Sequence, residues 1–371
     1  MPVSPARTAF LKKLMSAVSP SGYETEIARI VREEAAAWAT DVRTDVHGNT
    51  LVHVAPSPAA AKKAAKSGAR IPKVLLAGHC DEIGFLVTFI DDNGYLWISP
   101  IGGWDPQIPQ GQRVLVRTAT AGDLPGVLGK PPIHVLKAEA RTKVTPLDAL
   151  WVDIGAKDRA DAESVVAIGD PIVVDQGLAE LRNGLLAGRA FDDRAGVFSV
   201  IEAARRLAQR RDFAADVYAV ATVQEEIGSR GAITATFGVS PDVGIAVDVT
   251  FATDHPDMAE AEKHEGRVKL GGGPAISRGA NINPVLFDLL KKTAAARKIT
   301  VQYVADGRAT PTDADPIQIS GPGVAAALVS VPLRYMHTPG EVIALADLDA
   351  TAELLARTIA AIQPGQTWIP N

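Results

Sequence analysis

The chain carries one cysteine, Cys80, in 371 residues. That excludes an intramolecular disulfide and fits a reducing compartment. Aromatic residues make up only 5%, which excludes a core built mainly on large rings, and alanine is abundant. No run of eighteen apolar residues occurs, so no membrane-spanning helix is expected. Neither sign of charge dominates: 38 Lys and Arg against 43 Asp and Glu leave a net charge of −5. With both signs interspersed, no nucleic-acid partner is expected. The opening stretch MPVSPARTAFLKKLMSAVSP lacks the apolar core of a secretory signal and reads as an amphipathic helix. The expectation is a cytoplasmic protein without membrane contact. What is present is ample core material, 47% hydrophobic residues. The length suits one large domain plus a smaller one.

Apolar positions at three-to-four spacing predict helices over 6–17 (Phe10, Leu14, Val18) and 24–39 (Ile27, Ile30, Val31). Ser21 and Glu24 form a capping-box pattern before the second helix. A strand is expected over 49–54. The polar, Ala-rich stretch 56–72 reads as a mobile surface loop or a short exposed helix. KVLLA, 73–77, reads as a buried strand. From 84 to about 174 the texture changes. FLVTFI, YLWIS, RVLVRT, ALWVDI and PIVV are separated by turns such as DDNG and GGWDPQIPQG, the pattern of a small all-β barrel or sandwich. After 185 an α/β pattern returns, with helices over 193–210, 284–297 and 347–363 and strands over 216–223, 243–249, 300–304 and 326–331. Residues 1–83 and 184–371 therefore read as one α/β domain, interrupted by a β module over 84–183.

Open α/β sheets bind ligands beyond the carboxyl ends of their strands. His79 and Asp81 follow KVLLAG, and Glu225 and Glu226 follow VYAVATVQ. Asp248 and Thr250 follow VGIAV, and His337 follows VSVPLRYM. Asp192 and Asp193 sit at a helix start in AFDDRAG. Taken singly each has a plain reading. Adjacent glutamates are more often a solvated strand end, an isolated histidine is more often structural, and Asp192-Asp193 could be a helix cap. The recurrence at strand ends favours a divalent-metal site of the zinc, cobalt or manganese type. His79, Asp192, Glu226, Asp248 and His337 exceed the three protein ligands of a single catalytic zinc. If one carboxylate bridges, they serve two ions. Glu225 is then free to act as general base and acid. Asp81 can orient the His79 ring. His47, His53, His134, His255 and His264 lack the pattern and read as structural or surface residues, and Cys80 reads as a buried inert thiol. Regular strand geometry would point Glu225 and Glu226 to opposite faces. The backbone must therefore leave the strand by Glu225, and Gly228 and Gly231 fit such a turn.

AGHCDEIGF, AFDDRAG, QEEIGSRGA, VDVT and LRYMHTPGEV resemble the signature segments of the tetrahedral metallo-aminopeptidases, the group of glutamyl, leucyl and lysyl aminopeptidases. GNTLVHV, PIGGWDPQIPQGQRV, GVLGKPPIH, LWVDIGA and GGGPAISRGANINP extend the likeness over nearly the whole chain. Cys80, Gly340 and the 56–72 stretch depart from the family pattern without removing a ligand. The resemblance implies a mixed central sheet flanked by helices, with an inserted β-barrel used for dimerisation. It gives one metal to His79, Asp192 and Asp248 and the other to Asp192, Glu226 and His337, with Asp192 bridging. It implies Glu225 as base and Asp81 as the partner of His79. It further implies short peptides as substrates, removal of N-terminal residues, and a homododecamer built from dimers. The rival readings are another dinuclear hydrolase, such as a deacylase or blocked-peptide hydrolase, and an idle metal-binding scaffold. An endoglucanase is disfavoured because glycoside hydrolysis generally uses two flanking carboxylates and no metal pair. Loops near 250–262, 274–283 and 306–322 are expected to line the substrate pocket.

Overall fold

The computed structural model describes residues 4–210 and 212–370. The first three residues of the N-terminal stretch lie outside them. An eight-stranded mixed sheet forms the larger body. Its strand order is Asp41–Thr44, Thr50–Val54, Asp216–Thr222, Lys73–His79, Val243–Phe251, Ala325–Leu333, Ala275–Gly279 and Gln302–Asp306. The four strands from Asp216–Thr222 to Ala325–Leu333 run parallel. Their carboxyl ends therefore open along one edge. Ala325–Leu333 is buried along its whole length. A central parallel strand is covered on both faces, so AAALVSVPL needs no polar alternation.

Two close approaches show how helices cover the sheet. A Cβ on Gly78 would lie 2.7 Å from the Gly196 carbonyl carbon in helix Phe191–Ala208. A Cβ on Gly244 would collide with Ile317 of the short helix Ala314–Gln318. Gly244 pairs with Leu75, three residues from Gly78. Side chains alternate along a strand, so these helices cover opposite faces. Helix Leu345–Ala361 packs on Phe191–Ala208, and the N-terminal helix Pro5–Ser16 adds to the same layer.

A closed six-stranded antiparallel barrel forms the second body, in the order Gly84–Ile90, Leu96–Ile101, Trp151–Asp153, Gly122–Gly129, Arg113–Thr118 and Pro171–Val174. Phe85, Val87, Ile98, Val114, Val116, Leu128, Val152 and Ile172 fill it. The architecture is thus the mixed α/β sheet with an all-β barrel that the sequence led us to expect. Strand Gly122–Gly129 was not anticipated. GDLPGVLG is rich in glycine and proline, both poor strand formers. Pairing on both sides holds it in place.

Helix Pro284–Arg297 has the expected bounds, because Asn283 accepts from the Val285 and Leu286 amides and Pro284 opens the first turn. The 56–72 stretch is a helix, Pro58–Ser67, between a Ser57 cap and Gly68 at φ 67°. Thr25–Ala35 is shorter than expected, and its capping box does not form. Ser21 Oγ instead donates to Asp81 Oδ2 at 2.6 Å, and Glu24 Oε1 accepts from the Gly22 and Gln224 amides. Both side chains serve the neighbouring cleft rather than the helix. Helix Arg230–Val239 and strands Ala275–Gly279 and Glu341–Ala344 are further elements that sequence periodicity did not mark. No described helix is long and apolar enough to cross a membrane.

Candidate metal centre and active-site cleft

Strand Lys73–His79 ends on His79, and its parallel neighbour ends opposite it on Thr222. Glu225 and Glu226 lie just beyond. Asp248 is level with Ser330 on the adjoining strand pair, and His337 follows the end of Ala325–Leu333. Asp192 stands in the first turn of Phe191–Ala208 and is joined to Asp193 by a cis peptide bond. The five residues expected as ligands therefore meet at the carboxyl edge of the sheet.

They form two overlapping groups. His79, Asp192 and Asp248 bring ligand atoms within 4.8 Å of one another, as do Asp192, Glu226 and His337. Asp192 is shared. Its Oδ1 lies 3.1 Å from His79 Nε2, and its Oδ2 lies 3.3 Å from His337 Nε2. Asp248 Oδ1 is 4.0 Å from His79 Nε2, and Glu226 Oε1 is 3.4 Å from His337 Nε2. Glu225 belongs to neither group. Its Oε2 is 3.9 Å from His79 Nε2, and its Oε1 accepts the Ser229 hydroxyl at 3.2 Å.

The backbone leaves the strand where the paired glutamates require it. Gln224 takes a left-handed φ of 57° and Gly228 a φ of 118°. Three successive amides are caught by two buried carboxylates. Gln224 N donates to Glu24 Oε1 at 3.1 Å, Glu225 N to Asp81 Oδ1 at 3.0 Å, and Glu226 N to Asp81 Oδ2 at 3.2 Å. Asp81 also lies under the His79 ring nitrogen Nδ1, with its carbonyl oxygen at 3.2 Å and its carboxylate at 3.5 Å. It thus ties the imidazole to the glutamate turn. Gly231 meets a different need, since a Cβ there would collide with the Val223 backbone.

Two ring nitrogens are directed by neighbours. Gly103, just past a barrel strand, offers its carbonyl to His337 Nδ1 at 2.7 Å. A carbonyl only accepts, so Nδ1 carries a proton, and Nε2 is the nitrogen that faces Asp192 and Glu226. Electrostatically the cleft is short of positive charge. Burial pushes the Glu225 carboxyl up to about 8, with His79 opposing and Asp313, Glu226 and Asp192 adding. Burial likewise raises Glu226 and Asp248, with Asp192 adding to both. His337 rises to about 11, because Asp192 and Glu226 outweigh its burial. Burial would raise Asp192, but its bonds to His337 and His79 hold it well below the usual carboxylate range. Three clustered carboxylates and two imidazoles are a donor set that suits divalent cations.

Several buried acids received no role of their own from the sequence. Asp193 Oδ2 accepts the His79 amide at 3.2 Å, and Glu341 accepts the amides of both His337 and Asp192. Asp313 accepts the Thr222 hydroxyl at 2.6 Å. They lie in or beside segments already singled out, but an acid that binds only backbone or hydroxyl groups leaves no spacing signal. Cys80 is buried, its thiol pushed up by that burial, and lies in neither donor group. His53 pairs with Asp216, His255 lies tilted against the Tyr335 ring, and His134 is exposed. His264 is exposed as well but lines the cleft. The cleft encloses about 750 Å³, with walls that include Phe251, Glu265, Ser277, Asp306 and Met336.

The open α/β sheet and its shared-carboxylate donor pair define a hydrolase-type cleft on a barrel-bearing scaffold. The family model for M42 glutamyl aminopeptidase matches residues 60–354, and the chain belongs to that family. It is a peptide hydrolase. It is 36% identical over 358 residues to the lysyl aminopeptidase of Pyrococcus furiosus, covering 95% of this chain and 97% of that protein. The crystal structure of a TET aminopeptidase from a marine-sediment Thaumarchaeota archaeon superposes with a TM-score of 0.88 at 33% identity, covering 96% of this chain and 98% of that one. The Pyrococcus horikoshii TET1 peptidase, which can assemble into a tetrahedron or a large octahedral shell, superposes at 0.82 with 29% identity, covering 96% and 100%.

Proposed function

We propose that this chain is a metal-dependent aminopeptidase that releases N-terminal residues from short peptides in the cytoplasm. The observation that carries this reading is the pair of donor groups sharing Asp192, with Glu225 beside both and outside each. His79, Asp192 and Asp248 would hold one divalent ion, zinc or cobalt before manganese, and Asp192, Glu226 and His337 the other. Bound there, such ions supply Lewis acidity toward the scissile carbonyl and toward water. Glu225 takes a proton from the attacking water and passes it to the leaving amine. Asp81 keeps the Glu225 and Glu226 side chains on one side by holding their amides.

The cleft wall supports a cationic N-terminal side chain as the preferred one. Glu265 and Asp306 line it, and among the described lining residues there is no Lys or Arg. Phe251, Val304 and Met336 offer an apolar path for a long aliphatic stem. The relative named lysyl aminopeptidase agrees with this preference.

Residues 1–83 and 184–371 would form the catalytic unit, with 84–183 as the self-association unit. Exposed Val127, Ile133, Val135 and Val144 on the barrel side support that division of labour. A related TET1 structure that holds a dodecamer supports a homododecamer. The test is a panel of aminoacyl p-nitroanilides and free or acetylated peptides, assayed with Zn²⁺ or Co²⁺ added. Free peptides should be cleaved and acetylated ones spared, with Lys and Arg favoured over Glu. Equal cleavage of acetylated peptides would point to a deacylase or blocked-peptide hydrolase instead.

A further inference from the structure

Glu341 opens strand Glu341–Ala344 and is only 2% exposed. Among the described residues no Lys or Arg pairs with it. Its two oxygens accept two backbone amides: His337 N at 3.0 Å on Oε1 and Asp192 N at 3.2 Å on Oε2. The amides come from distant parts of the chain, the loop after Ala325–Leu333 and the start of Phe191–Ala208. Both residues depart from regular geometry there. His337 has a left-handed φ of 58°, and Asp192 has non-helical angles inside its helix turn. Both also supply side chains to the same donor group. A buried carboxylate without a cationic partner is costly unless something offsets it. Two backbone amides offset part of that cost, and a nearby divalent cation would offset more.

We infer that Glu341 is a positioning residue that clamps the backbones of Asp192 and His337 and so sets the geometry of the Asp192–Glu226–His337 ion site. This rests on the metal-dependent reading given above. Its neighbour site shares Asp192 but not His337, so it should be less sensitive. His79 and Asp248 are held by other contacts, namely Asp81 at the His79 ring and strand pairing at Asp248. In Glu341→Gln the amide keeps one accepting oxygen but turns an NH₂ toward the other N–H. One arm of the clamp is therefore lost without loss of volume. Glu341→Asp keeps the charge but withdraws it by one methylene.

The experiment is calorimetric titration of chelator-treated protein with Co²⁺, alongside thermal unfolding of the same metal-free samples. Wild type should bind two ions. Glu341→Gln should weaken the Asp192–Glu226–His337 ion by about 10–100-fold, the usual effect of removing a partner behind a metal ligand, and the other ion, which shares Asp192 but not His337, clearly less. Glu341→Gln added to His337→Ala should weaken metal binding by less than the two single effects summed, since both act on one site. Wild-type titration by Glu341→Gln overturns the inference. So does equal weakening of both ions together with a lowered metal-free Tm, which marks a merely structural residue. Should Glu341→Gln fail to fold, Glu341→Asp carries the same expectation. A wild type that binds no divalent ion would instead defeat the metal-dependent reading itself.

Discussion

The contrast between Glu225→Gln and Glu226→Gln tests the cleft most sharply. The two residues are adjacent, equally conservative to change, and hung from the same Asp81 carboxylate by their amides. Glutamine at 225 keeps the side-chain volume and can still accept from Ser229, so the fold and both donor groups stay intact. What disappears is the site that takes up and returns a proton. General-base catalysis typically contributes about 10²–10⁴-fold. At about 1.36 kcal/mol per tenfold, the transition state loses about 3–5 kcal/mol. Metal content should not change. Glutamine at 226 instead removes a carboxylate that lies 3.4 Å from His337 Nε2 inside a donor group. Metal binding should weaken there, and excess metal should restore part of the rate. Stopped assays of kcat on a lysyl p-nitroanilide, paired with elemental analysis of the same samples, read both effects. A Glu225→Gln enzyme with full metal and wild-type kcat refutes the assignment of the proton to Glu225. Rescue of Glu225→Gln by added metal would refute it equally, because it would move Glu225 into the ligand set.

Four further outcomes follow. Glu82 lies buried between Arg189 and Arg194, so Glu82→Gln leaves buried guanidinium charge without its counterion. The cost should be about 3–5 kcal/mol, seen as a fall of Tm by several degrees in calorimetry. The same triad sets a pH dependence. Burial raises the Glu82 carboxyl, but Arg189 and Arg194 outweigh it and hold it below its ordinary 4.5. A depressed folded-state pKa stabilises above the unfolded value and fades as pH falls through the folded one. The Tm gap between wild type and Glu82→Gln should therefore be full near neutrality and shrink below about pH 4.5. Gly231→Ala drives a Cβ into the Val223 backbone, which no side-chain movement relieves. It should cost about 1–3 kcal/mol and lower activity, because the displaced turn carries Glu225 and Glu226. Chelation should abolish peptide cleavage and lower Tm, and metal at about 100 times its Kd should return about 2.7 kcal/mol per site. Unchanged activity and Tm after exhaustive chelation would count against a metal site.

The sequence by itself determined the architecture class, the positions of most strands along the chain and the segments that gather at the cleft. Strand ends are legible because a buried parallel strand is a continuous apolar run, so the polar residue that closes it stands out. KVLLAGH and VYAVATVQEE announce themselves in this way. The paired glutamates even required their own turn, because regular strand alternation would separate them. The tertiary structure alone decided what carries no local period. Strand Gly122–Gly129 exists because two barrel neighbours pair with it, against its own composition. Ser21 and Glu24 read locally as a helix cap, yet Asp81 and the Gln224 amide draw them into the cleft. Glu341 reaches an amide 149 residues away in sequence. Such acids act through backbone groups brought near only by folding. Hydrogen bonds of this kind depend on distance and burial in three dimensions, not on spacing along the chain.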